Sequence, residues 1–141
     1  MAAPEDKSQN IMQRVRSMPL AEAMRLARSN DQQERVALER LHGKLAWEPL
    51  LRNPGLSAPE VSRIASMGTL PSPLMDLILA NPNWLSSEQV RRALLSNPIL
   101  RGQNIMTVLR YLSKSELELC LKQTAYPYGV REAAKRMLAQ K

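Results

Sequence analysis

The dipeptide Asn-Pro occurs three times, at Asn53-Pro54, Asn81-Pro82 and Asn97-Pro98, each time behind a short run with helical spacing. Proline drives the residue before it out of the α region, so each asparagine marks a helix end. The asparagines are 28 and then 16 residues apart. The shorter interval holds one short helix with its turn, and the longer holds about two. The chain therefore reads as a series of short helices. Its 141 residues suit one domain, and 44% hydrophobic residues lie in the globular range. Phe is absent and aromatics total 4%, so the core must come from Leu, Met, Ile, Val and Ala. Leu and Met favour helix and β-branched residues are sparse, which predicts an all-α fold.

Local signals supply the boundaries. Residues 1–9 read as a disordered tail and 10–141 as a single helical domain. Ile11, Met12 and Val15 open a short helix ending before Pro19, and Leu20, Ala23, Met24 and Ala27 mark the next. Asp31 suits an N-cap, with Glu34 three residues later as a capping-box partner, and Gly43 closes that helix. Pro49 falls within the run Leu45 to Arg52, and that helix could begin as late as Glu48. Ser57 with Glu60, Ser72-Pro73, Ser86-Ser87 and Ser113 with Glu116 each announce a helix start. Gly68 is placed to close one helix, and Pro127 to open the last. The total is nine or ten helices, most of them too short to be stable alone. Each carries one apolar stripe and needs neighbours. Stacked antiparallel hairpins forming a small solenoid satisfy this, and a compact orthogonal bundle is the competing arrangement.

The residues after the Asn-Pro turns carry a resemblance. Glu60-Val61-Ser62-Arg63-Ile64-Ala65, Val90-Arg91-Arg92-Ala93-Leu94 and Val130-Arg131-Glu132-Ala133-Ala134, with Leu51-Arg52-Asn53-Pro54, resemble HEAT-like and leucine-rich-repeat-variant helical repeats. From about Leu50 to Leu138 the chain is similar to a group of small uncharacterised bacterial helical-repeat proteins. The resemblance implies a HEAT-like stack serving as a scaffold or contact surface.

The inventory for chemistry is thin. One His (His42) and one Cys (Cys120) cannot make a typical zinc site, and no acidic cluster resembles a calcium loop. The five glycines never come together as a phosphate loop, and no Gly-x-Ser-x-Gly elbow is present. Glu116 and Glu118 are two apart and do not share a helix face; they read as a solvated first turn. Cys120 reads as a small core residue. No catalytic, cofactor or metal residue is assigned, and the expectation is a non-enzymatic protein.

The formal net charge of +7 favours acidic partners: nucleic acid, an anionic membrane surface or a protein with an acidic surface. Arg91 and Arg92 lie on one helix; Arg131, Lys135 and Arg136 lie on the last, where 131 and 135 are neighbours at i,i+4. Tyr126 and Tyr128 flank Pro127, suited either to stack on bases or to staple the helix start. Trp84, in the loop after Asn81-Pro82, is either an exposed interface anchor or a plug between hairpins. The leading expectation is a protein-interaction adaptor, with nucleic-acid binding through a basic helical surface as the alternative and end-to-end self-assembly as a third. Residues Met1 to Asn10 have no apolar run, and no stretch approaches transmembrane length, so the expected location is the cytoplasm.

Overall fold

The Asn-Pro punctuation marks helix ends in three dimensions, and it does more than stop helices. In a computed structural model describing the backbone of residues 7–140 and the side chains of residues 10–140, each Asn-Pro asparagine bends back on its own turn. Its Oδ1 accepts the backbone N–H two residues on: Gly55 at 2.8 Å, Asn83 at 3.0 Å and Ile99 at 3.1 Å. Two of the three also reach across to a neighbouring helix. Asn53 Nδ2 donates to the carbonyls of Ala27 at 2.8 Å and Ser29 at 3.3 Å. Asn97 Nδ2 donates to those of Ala65 and Met67, both at 2.9 Å. These are carbonyls at and just beyond helix C-termini, which lack an intrahelical donor.

The described residues form eleven α-helices and no strand. They are α1 Lys7–Arg16, α2 Leu20–Met24, continued by a 3-10 turn over Arg25–Arg28, α3 Gln32–His42, α4 Lys44–Leu51, α5 Ala58–Ala65, α6 Ser72–Leu79, α7 Pro82–Leu85, α8 Glu88–Ser96, α9 Gln103–Leu109, α10 Lys114–Lys122 and α11 Tyr128–Gln140. The tail expected over 1–9 is helical from Lys7; residues 1–6 lie outside the described residues.

The helices group into two compact units divided between Ser57 and Ala58. In the first, α3 packs on α1, α4 and the 3-10 turn, burying Val15, Ala27, Leu38, Trp47 and Leu50. In the second, α5 lies along α8, α10 lies along α11, and α9 joins α6, α8 and α11. Its core holds Val61, Ile64, Ile78, Leu85, Leu94, Leu109, Leu117 and Val130. Both cores are mainly aliphatic, with Trp47 buried in the first and Trp84 and Tyr126 in the second.

Several local signals resolve differently from the sequence expectation. Helix α4 starts at Lys44, at the early end of the expected 45–52 run and not as late as Glu48. Gly43, at φ +52°, turns the chain directly into it, and the burial of Ala46 and Trp47 outweighs the donor that Pro49 removes. Helix α5 ends at Ala65, and Gly68 has no positive φ. Pro71, not Ser72, precedes α6, with no side-chain cap. Asp31 caps α3 by accepting from Gln33 N at 2.9 Å, but Glu34 turns to Arg14 and to the Ser29 hydroxyl. Ser87, not Ser86, caps α8. The Ser113–Glu116 capping box forms as expected.

Candidate functional site

Helix α8 places Glu88, Arg91, Arg92 and Leu95 on one face, at i, i+3, i+4 and i+7. Helix α10 does the same with Glu116, Leu119 and Cys120, and Gln123 follows at its C-cap. Since α8 packs mainly on α5 and α10 mainly on α11, these two faces are left to border a surface groove of about 270 Å³, completed by Leu112, Lys122 and Tyr126. Leu95, Leu112, Cys120 and Tyr126 are buried and form its floor. Leu119 stands on the α10 wall with 60% of its surface exposed.

One ion pair ties the walls together. Arg91 is buried, and its Nη2 donates to Glu116 Oε2 at 2.7 Å. Its Nη1 donates to the carbonyls of Leu85 at 3.1 Å and Ser86 at 2.9 Å, at the end of α7. The planar fork of a guanidinium reaches all three acceptors, which a lysine ammonium cannot match. Arg92, one residue on, points outward. It pairs with Glu88 at 2.6 Å, with both side chains more than half exposed, a contact worth little in water. Lys122 is exposed and has no ion pair among the described residues.

Burial pushes the Glu116 carboxyl up. Hydrogen bonds from Arg91 and from the Ser113 backbone N–H, with the Arg91 charge, outweigh that and hold it below its usual value. A carboxylate so depressed in the fold stabilises the protein above its unfolded pKa, and the contribution disappears as pH falls through the folded one. Below about pH 4.3, wild-type stability should therefore fall faster than that of Glu116→Gln. At neutral pH the variant should be the less stable of the two. Urea titrations from pH 7 down to about pH 3 measure this; parallel profiles would remove the ion pair from the energetics. At the groove floor, burial pushes the Cys120 thiol and the Tyr126 phenol up. Glu116 adds to the first; Cys120, Glu88 and Glu116 add to the second against an opposing effect of Arg92.

The structure gathers some of the residues singled out from sequence and separates others. Arg91, Arg92 and Tyr126 share the groove. Trp84 does not join them on the surface. Asn81 accepts from the N–H groups of Asn83 and Trp84, capping the one-turn α7, and Trp84 turns inward to 6% exposure. Tyr128 is 70% exposed at the start of α11, and a hydrogen bond to Glu132, with the charge of that carboxylate, raises its phenol. The two tyrosines around Pro127 thus take different roles, one buried and one in solvent. Arg131 is half-buried, while Lys135 and Arg136 are exposed. Arg136 borders a second depression between α9 and α11, beside Ile105, Met106 and Met137.

Glu88, Leu95, Leu112, Leu119 and Cys120 were not singled out from sequence as a surface. The run Leu117, Leu119, Cys120, Leu121 held the signal, because one helix face cannot bury all four. Glu116, expected as the capping-box partner of Ser113 in a solvated first turn, forms that box and is also the partner of Arg91. Among the described residues no three His, Cys, Asp or Glu side chains gather as a metal ion would need, and no helix is long and apolar enough to cross a membrane.

No family model, no curated protein and no solved structure matches the chain. The fold is that of a small all-helical protein.

Proposed function

We propose that the chain is a non-enzymatic interaction module that holds a protein partner in the groove between α8 and α10. The observation that carries this reading is Leu119: a leucine 60% exposed beside an apolar floor, on a wall held in place by the Arg91–Glu116 pair. A leucine left open to water next to a concave apolar surface gains from being covered. The helical-repeat reading agrees with such a role. It is supported by the Asn53 and Asn97 latches, which make the same pattern of bonds in the two units.

Leu121 provides the control. It lies on the same helix, is 40% exposed and does not border the groove. Leu119→Glu should abolish co-purification of partners with the tagged chain, whereas Leu121→Glu should leave it intact. Equal effects of the two substitutions, or none, would reject the groove as the contact surface.

Nucleic-acid binding is the second reading. It is favoured by the exposure of Lys135 and Arg136 on α11, neither of them ion-paired among the described residues, and by a sequence holding five basic and no acidic residues between Glu88 and Glu116. It predicts affinity that falls steeply with salt and is weakened by Lys135→Glu with Arg136→Glu. Duplex and single-stranded titrations insensitive to that pair would set it aside.

A further inference from the structure

Resting on the interaction reading above, we infer that the occupant of the α8–α10 groove is an acidic amphipathic helix about two turns long at the contact. Its length follows from the walls. Each presents residues at i, i+3, i+4 and i+7, a span of about 11 Å at 1.5 Å per residue. Two helix faces that border one groove offer a cradle into which a third helix can lay an apolar stripe of its own, with anchors at i, i+3 or i+4 and i+7.

The charge follows from the rims. On the α8 side stands Arg92, and on the α10 side Lys122, so a helix lying between them passes a cation on each flank. The two acids of the groove are already engaged: Glu116 by the buried Arg91 and Glu88 by Arg92. The Glu88–Arg92 pair is exposed and weak, so Arg92 can exchange that partner for a carboxylate on the occupant at little cost. Leu112, at the groove, is flanked in sequence by exposed Arg110 and Lys114, which extends the positive field for an approaching acidic helix. A basic helix would meet Arg92 and Lys122 with like charge; Glu116 is held by the buried Arg91, which leaves Glu88 alone to offset those two cations.

The test is selection of displayed, helix-biased peptides of about 15 residues against the full chain, with counter-selection on Leu119→Glu. The enriched peptides should carry Asp or Glu beside apolar anchors at i, i+3 or i+4. Their affinity should fall at least tenfold for Arg92→Glu combined with Lys122→Glu, and between ~50 and ~200 mM salt. Enrichment of neutral or basic peptides, or affinity indifferent to that charge reversal, would overturn the inference. The interaction reading would still stand provided Leu119→Glu alone abolishes partner capture. Failure of selection to yield any Leu119-dependent peptide would also overturn it. So would a wild-type dimer that Leu119→Glu converts to monomer in light scattering, since the groove would then be filled by a second copy, and so would duplex DNA that binds through Arg92 and Lys122.

Discussion

Asn97→Ala is expected to cost about 3 kcal/mol of folding stability. Asn97 is 1% exposed and makes three backbone hydrogen bonds: it donates to the carbonyls of Ala65 and Met67 and accepts from Ile99 N. Alanine removes all three and strands the Ala65 carbonyl at the buried end of α5 and the Ile99 N–H, while the Met67 carbonyl keeps its bond from the Leu70 N–H at 3.1 Å. The larger part of the loss is the desolvation of those stranded groups, at about 1–3 kcal/mol each when fully buried. Asn53→Ala removes the equivalent bonds of Asn53 but should cost only about half as much, because Asn53 is half-buried and water can take its place. Asn97→Asp should be at least as damaging as Asn97→Ala. It keeps the acceptor for Ile99 N while turning a carboxylate oxygen toward two carbonyls. Urea denaturation of the three variants checks the order; an Asn97→Ala protein as stable as Asn53→Ala would show that the latch is not what joins α5 to the end of α8.

Arg91→Ala should cost about 2–3 kcal/mol. The side chain is 10% exposed and its partner Glu116 33%, so part of the loss is softened by water reaching the carboxylate, and the upper end of the range for a broken buried pair is not reached. What remains is the loss of donors to Leu85 and Ser86 at the close of α7 and of the packing of the alkyl stem against the groove floor. Arg91→Lys separates charge from geometry. A lysine keeps the charge but has no planar fork, and should recover less than half of the lost stability. Full recovery by lysine would mean that only the charge opposite Glu116 matters. Arg92→Ala, on the same turn, should change stability by less than about 0.5 kcal/mol, because Arg92 and Glu88 are both exposed.

That contrast between two adjacent arginines shows where sequence reading succeeds and where it stops. The all-helical class and most helix starts were legible, because proline, capping serines and leucine spacing act within a few residues of where they stand. The inward turn of Arg91 was also within reach. Leu94 and Leu95 lie three and four residues on, so Arg91 sits over the apolar stripe of α8 while Arg92 is a further 100° around. What it pairs with was not legible: Glu116 is 25 residues away, and no local pattern announces the match. The same holds for Asn97, whose partners lie 30 and 32 residues back. Its role as a helix stop could be read from Pro98, but its role as a latch could not. Trp84 stayed open between surface anchor and buried plug because a four-residue helix leaves almost no periodicity. Asn81 reads as an end to α6 and serves equally as the cap that starts α7, and that single turn carries the indole inside. The groove escaped notice as a surface because its two walls come from helices separated in the chain by α9, each wall only half apolar.

The central claim is that the α8–α10 groove, and not the basic face of α11, is where this protein meets its partner. Amide hydrogen exchange with and without a Leu119-dependent peptide tests it most directly. Added protection should concentrate in residues 88–95 and 116–123, and leave 131–140 as in the free protein. Protection centred on 131–140, with the two groove walls unchanged, would contradict the account and move the contact surface to Lys135 and Arg136.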